Sequence, residues 1–178
     1  NRAKKSQKQI KKTSPVKNKS KLIVIFIATI VFTIVGASLT SWLSSKYFEA
    51  FTQGVWYSNT FKITGALSLT STLLSWVSFL VMLGTCYVFY NITKGNNVAN
   101  NVKLLRQLLE FVVALAVLAV ATQICSSICL TQYGEMKGYI PDTGTQVSDT
   151  SIAAPIMLGC AMTASFVLVS SYGNATKA

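Results

Sequence analysis

Histidine is absent from this 178-residue chain, and acidic residues number only five. Without histidine the commonest general base and metal ligand are missing. The few carboxylates form no pair suited to acid–base work, and Asp142 and Asp149 read as solvent-facing turn residues beside Pro141. No GxSxG, HExxH or Gly-rich phosphate loop is present. Cys125 and Cys129 stand one helical turn apart, but a zinc site needs two further ligands. Adjacent-turn cysteines on one helix are also too far apart for an easy disulfide. With Cys160 they read as buried apolar groups, while Cys86, near a predicted span end, is a weak candidate for acylation. No catalytic residue, metal or cofactor is therefore expected.

Charge is scarce at 12% of residues, about half the share of a soluble domain, whereas 51% are hydrophobic. The net charge of +11 is not spread over the chain. Nine of the sixteen basic residues lie in the first 21 positions, and no acidic residue precedes Glu49. That distribution describes a tail and not a folded basic face, so nucleic-acid binding is not expected. Residues 1–21, polar and free of aromatics, are expected to be disordered. Lys4, Lys5, Lys8, Lys11, Lys12, Lys17, Lys19 and Lys21 are expected to set topology and to bind anionic cytosolic lipids.

Four stretches are long and apolar enough to cross a bilayer core about 30 Å thick. They run over 22–43, 63–90, 104–130 and 151–172 within a transmembrane domain of 22–173, leaving a short tail at 174–178. The expected fold is an all-α, four-transmembrane-helix bundle. A cleaved signal peptide is the rival reading of the first span, but its basic lead is long and its apolar character continues through Trp42 and Leu43. Lys and Arg are concentrated in the tail and the 91–103 loop, which predicts a cytosolic location for both termini. Pro155 is expected in the first turn of the fourth helix, where a missing N–H costs little.

Lipid supplies no hydrophobic drive between helices, so small residues are expected to bring spans 3 and 4 together. Gly159 and Thr163, and Ala161 and Ser165, are the spaced pairs on span 4. Arg106 and Glu110, four apart on span 3, are expected to form a structural pair that faces protein or snorkels to the cytosol. No sustained polar stripe is read in spans 1, 2 or 4, which places a transporter or channel last among the functional readings.

Trp42, after the first apolar run, and Gly54-Val55-Trp56 resemble the first-loop Trp…Gly-x-Trp pattern of the claudin and peripheral-myelin-protein superfamily. The two cysteines of that loop are absent here, and the loop is short. The resemblance implies a tetraspan with room for at most a short β-hairpin through Val55–Ile63. Tetraspans of the MARVEL type share the span count. Trp42, Trp56 and Tyr57 are the candidate partner-contact residues. The expected partners are the bilayer and other membrane proteins or a second copy, at the plasma membrane or in vesicles, with an organellar membrane as the alternative. The expected role is non-enzymatic organisation of membrane or partner proteins; the alternative is an accessory subunit of a larger membrane assembly.

With both termini cytosolic, the sequons at Asn91 and Asn174 should carry no glycan. Glycosylation mapping of the mature chain in cells checks this, and occupancy of either site would reverse the orientation.

Overall fold

Long uncharged runs destined for lipid become helices because each backbone N–H and C=O must find its partner within the segment. The computed structural model describes residues 19–52, 59–133 and 144–176. They form α1 (Lys19–Thr52), α2 (Asn59–Lys94), α3 (Val98–Tyr133) and α4 (Gly144–Thr176), with no strand among the described residues. All four are long and apolar enough to cross a membrane. At 33 to 36 residues each is about 50 Å long, well beyond a hydrocarbon core.

The helices overrun the predicted spans because apolarity ends before helicity does. α1 continues past Leu43 through Ser44–Thr52, and Lys19 and Lys21, expected in the tail, stand exposed in its first turn. Asn59–Ile63, the return strand of any Val55–Ile63 hairpin, is the first turn of α2. The rest of that segment, with Trp56 and Tyr57, lies outside the described residues, as do Lys4, Lys5, Lys8, Lys11, Lys12 and Lys17.

The expected 91–103 loop shrinks to Gly95–Asn97. Gly95 N–H donates to the Ile92 carbonyl and Asn96 N–H to the Asn91 carbonyl, both at 3.1 Å. This is the Schellman closure of a helix, and it places Gly95 at φ +82°, where a side chain would be strained. Asn97 (φ +43°) also takes the left-handed conformation, which asparagine tolerates. Asn101 then donates its side-chain amide to the Asn96 carbonyl at 2.7 Å, fixing the start of α3.

Around the bundle, α1 packs on α2 and α4, and α3 packs on the same two helices; the α2–α3 seam is the most extensive. An apolar cluster fills the end where α1 begins, built on Leu22, Phe26, Met82, Phe89, Leu105, Leu109, Leu168 and Tyr172. Phe26 and Phe89 meet there with ring centroids 5.3 Å apart. The expectation for span 4 is met only in part. Ala161 and Ser165 are buried, but Thr163 is exposed and nothing lies within 4 Å of a Cβ built at Gly159. The close approach on α4 is made from α1 instead. A Cβ at Gly36 would lie 2.6 Å from Leu158 Cδ2 and 3.4 Å from its backbone nitrogen.

Pro155 is interior to α4, eleven residues past Gly144, and not in its first turn. Proline has no N–H to give the carbonyl four residues back, here that of Ser151. Ser127 of α3 donates its hydroxyl to that carbonyl at 2.7 Å. A neighbouring helix thus supplies a donor where the fourth helix cannot, which is how membrane helices tolerate proline.

The two glycines separate in outcome. Gly36→Val should destabilise the bundle by about 1–3 kcal/mol through overpacking against Leu158. Gly159→Ala should be neutral or slightly stabilising, because the methyl enters open space and alanine favours helix. Thermal unfolding in detergent compares them.

Candidate functional site

The bundle is turned inside out relative to a soluble protein. Leu80, Val24 and Phe48 are more than 60% exposed, while Ser68, Ser71 and Thr85 are fully buried. A water-soluble four-helix protein does not present such a continuous apolar exterior, so the exposed surface is the lipid-facing one.

The interior carries the polar groups. On α2, Thr64, Ser68, Ser71, Ser75, Ser78 and Thr85 are all buried, at alternating spacings of three and four with Met82 filling the one gap. This is a heptad seam of hydroxyls, and it overturns the expectation of no polar stripe. Thr29, Thr33 and Thr40 face it from α1, Gln123 and Ser126 from α3, Ser151 and Ser165 from α4. The spacing was legible in the sequence; it was missed because Ser and Thr look neutral on an apolarity count.

These hydroxyls hold helices together. Ser71 donates to the Ala119 carbonyl and Ser126 to the Thr64 carbonyl, each at 2.9 Å, so α2 and α3 are bonded in both directions. Ser44 of α1 shares hydrogen bonds with Thr72 (2.9 Å) and Ser68 (3.3 Å) of α2, and Trp76 Nε1 donates to Ser41 Oγ at 2.8 Å. Tyr172 of α4 donates its hydroxyl to the Val102 carbonyl of α3 at 3.0 Å. Others satisfy themselves one turn back: Thr33 to Thr29, Ser75 to Ser71, Ser165 to Ala161. Between Thr33, Ser75, Ser78 and the small residues Ala116, Ala119 and Ala161 a void of roughly 10 Å³ remains, room for at most one water.

One interior group stands apart. Gln123 is 1% exposed, its Nε2 donates a long bond of 3.4 Å to Ser127 Oγ, and its Oε1 has no partner among the described residues. Gln123, Ser127 and the Ser151 carbonyl thus form a short polar chain beside Pro155.

At the opposite end from the Phe26 cluster, Trp42 sits on α1 and not after it. Lys46 lies 5.6 Å from its ring centroid and pairs with Glu49 at 3.2 Å, while Ser45 donates to the Trp42 carbonyl at 2.7 Å. An open cleft of roughly 450 Å³ between α1 and α2 is lined nearby by Tyr47, Phe48, Lys62 and Leu69. A larger apolar groove, roughly 610 Å³, runs between α1 and α4 past Ala28, Phe32, Gly159 and Thr163.

The expected Arg106–Glu110 pair does not form. Both are exposed, and Glu110 has no hydrogen bond or ion pair with any described residue. Arg106 turns to α4 instead, its Nη2 lying 3.9 Å from a Cβ built at Gly173. The two diverge because the Arg106 side of α3 faces α4 while Glu110 points straight out. Cys125 is exposed and Cys86 and Cys160 are half-buried; the described residues contain no cluster of three metal-ligating side chains. Compared with protein-family models, curated proteins and solved structures, the chain matches none.

Removing an inter-helix hydroxyl should loosen the bundle. Ser71→Ala and Ser126→Ala should each cost roughly 0.5–2 kcal/mol. Gln123→Leu should be neutral or stabilising, since it removes an unpartnered buried oxygen at similar volume. Unfolding measured in bicelles with steric trapping ranks the three.

Proposed function

We propose that this four-helix membrane protein is a non-enzymatic organiser of membrane or partner proteins, working through its far-end loop and basic tail. The observation that supports this reading is the filled interior: most of its hydroxyls are spent on carbonyls of their own and neighbouring helices, and the void beside Ser78 holds one water at most. Such a core suits a rigid platform and not a permeation path, which needs polar groups free to meet a solute.

The recognition chemistry then falls on the ends. α1 closes at Thr52 and α2 opens at Asn59, so in sequence Trp56 and Tyr57 fall in the connection at the end of the bundle that also carries Lys46 and Glu49. Amphipathic aromatics of this kind are good interface anchors. This arrangement fits the contact role implied by the claudin-like resemblance. At the other end, Lys19 and Lys21 project from the first turn of α1, and the basic segment before them suits an anionic cytosolic leaflet.

The test compares Trp56→Ala with Trp56→Phe for membrane insertion, monodispersity in detergent and recovery of co-purifying membrane proteins. A contact anchor predicts loss of partner recovery in the alanine variant while insertion and folding persist. Unchanged recovery in Trp56→Ala would remove the role from this loop.

A further inference from the structure

Glu110 is a carboxyl on the lipid face of a membrane bundle, and its depth can be read from neighbouring helices. The bonds Ser71 to Ala119 and Ser126 to Thr64 fix the antiparallel register of α2 and α3. In that register Glu110 lies at about the depth of Leu80. Leu80 is roughly 20 Å from Lys94 and roughly 27 Å from Lys62 along α2, at 1.5 Å per residue. A hydrocarbon layer of about 30 Å centred on that uncharged stretch includes it. No charged residue of α1, α2 or α4 occurs at this depth, and Arg106 is a turn away and directed to Gly173. A carboxyl in hydrocarbon without a partner is costly, so this position favours a polar neighbour, which the described residues do not supply.

The surface around it suits one. Gln107, Glu110, Ala114, Val117 and Ala121 are all exposed and recur at spacings of three and four, forming one straight stripe on α3. The two alanines, seven residues apart, let a second helix backbone come close, and the amide of Gln107 can donate across an interface. Val31 and Ile34 on α1, Leu73 and Leu80 on α2 and Phe166 and Val167 on α4 are exposed bulky apolar groups, and the Thr163 exposed on α4 has no carboxyl or amide side chain beside it.

The geometry points to a second copy of this chain as the occupant, packed α3 against α3 about a two-fold axis along the membrane normal. Two copies inserted the same way present Gln107 and Glu110 at the same depth. A two-fold axis brings the two Glu110 side chains together at one depth, each one helical turn from the partner copy's Gln107, whose amide can donate to it. Donor and acceptor lie one turn apart on the same stripe, so the face is complementary to itself and needs no foreign helix of matched depth. The α1–α4 groove has no polar group of this kind and stays a lipid surface in the dimer. This inference goes beyond the proposed organising role and stands whether or not the Trp56 loop contacts a partner.

Oxidative cross-linking of the full chain in phospholipid vesicles tests it. Cys86, Cys125, Cys129 and Cys160 are replaced by alanine and one cysteine is introduced, by Ala114→Cys or, at similar depth on α2, Leu80→Cys. Ala114→Cys should give a covalent dimer and Leu80→Cys should not. Adding Glu110→Leu should weaken dimerisation about 5- to 30-fold. Glu110→Gln, which still forms hydrogen bonds, should retain most of it. Energy transfer between differently labelled, otherwise unaltered chains in one vesicle should fall in the same way with Glu110→Leu, without the cysteine replacements. Equal cross-linking from both positions, no cross-link from Ala114→Cys, or insensitivity to Glu110→Leu would overturn the dimer. Glu110-dependent capture of a different membrane protein without self-association would overturn it as well.

Discussion

Lipid chains are as apolar as leucine, so burying leucine between helices gains little in a membrane. Cohesion has to come from groups that lipid cannot satisfy. In this protein those are hydroxyls, mostly of serine and threonine, bonded to backbone carbonyls or polar side chains of the facing helix. Ser71 and Ser126 clamp the α2–α3 seam from both sides, Ser44 and Trp76 tie α1 to α2, and Ser127 and Tyr172 tie α3 to α4. Three of the four seams are held this way among the described residues. The fourth, α1–α4, is held by apolar packing, including the close approach of Gly36 to Leu158.

The same device explains two features that would otherwise be defects. Proline inside α4 is tolerated because Ser127 reaches the carbonyl it strands. A polar stripe in the middle of a membrane is tolerated because few of its hydroxyls are left to find water. The buried Gln123 oxygen marks the limit of that economy, in the chain of side chains that reaches the Pro155 region.

The four spans were legible because the criterion is length without charge, and uncharged stretches of twenty-odd residues are hard to mistake. Their ends were not, since Ser44–Thr52 and Val98–Lys103 are polar yet continue helices that overrun the lipid. Placing Pro155 at a helix start followed from the same error: the apolar run begins near Ser151, the helix at Gly144. The expected Arg106–Glu110 pair was wrong, because the direction of neither side chain was readable from their spacing. Residues four apart share a face, yet Arg106 is drawn sideways to the end of α4. The α2 hydroxyl seam was fully present in the sequence and needed only a heptad count of Ser and Thr to be seen. The candidate contacts at Trp56 and Tyr57 rest on sequence, because their segment lies outside the described residues.

The uneven seams bear on how the protein is made. α2 and α3 are joined by the three-residue Gly95–Asn97 turn and bonded in both directions, so they are ready to leave the insertion machinery as a paired hairpin. α4 follows the other three helices in the sequence and must pack on α1 to close the ring. That closure is made by apolar packing, with Gly36 leaving space for Leu158 and Leu22 and Phe26 sharing a cluster with Leu168 and Tyr172.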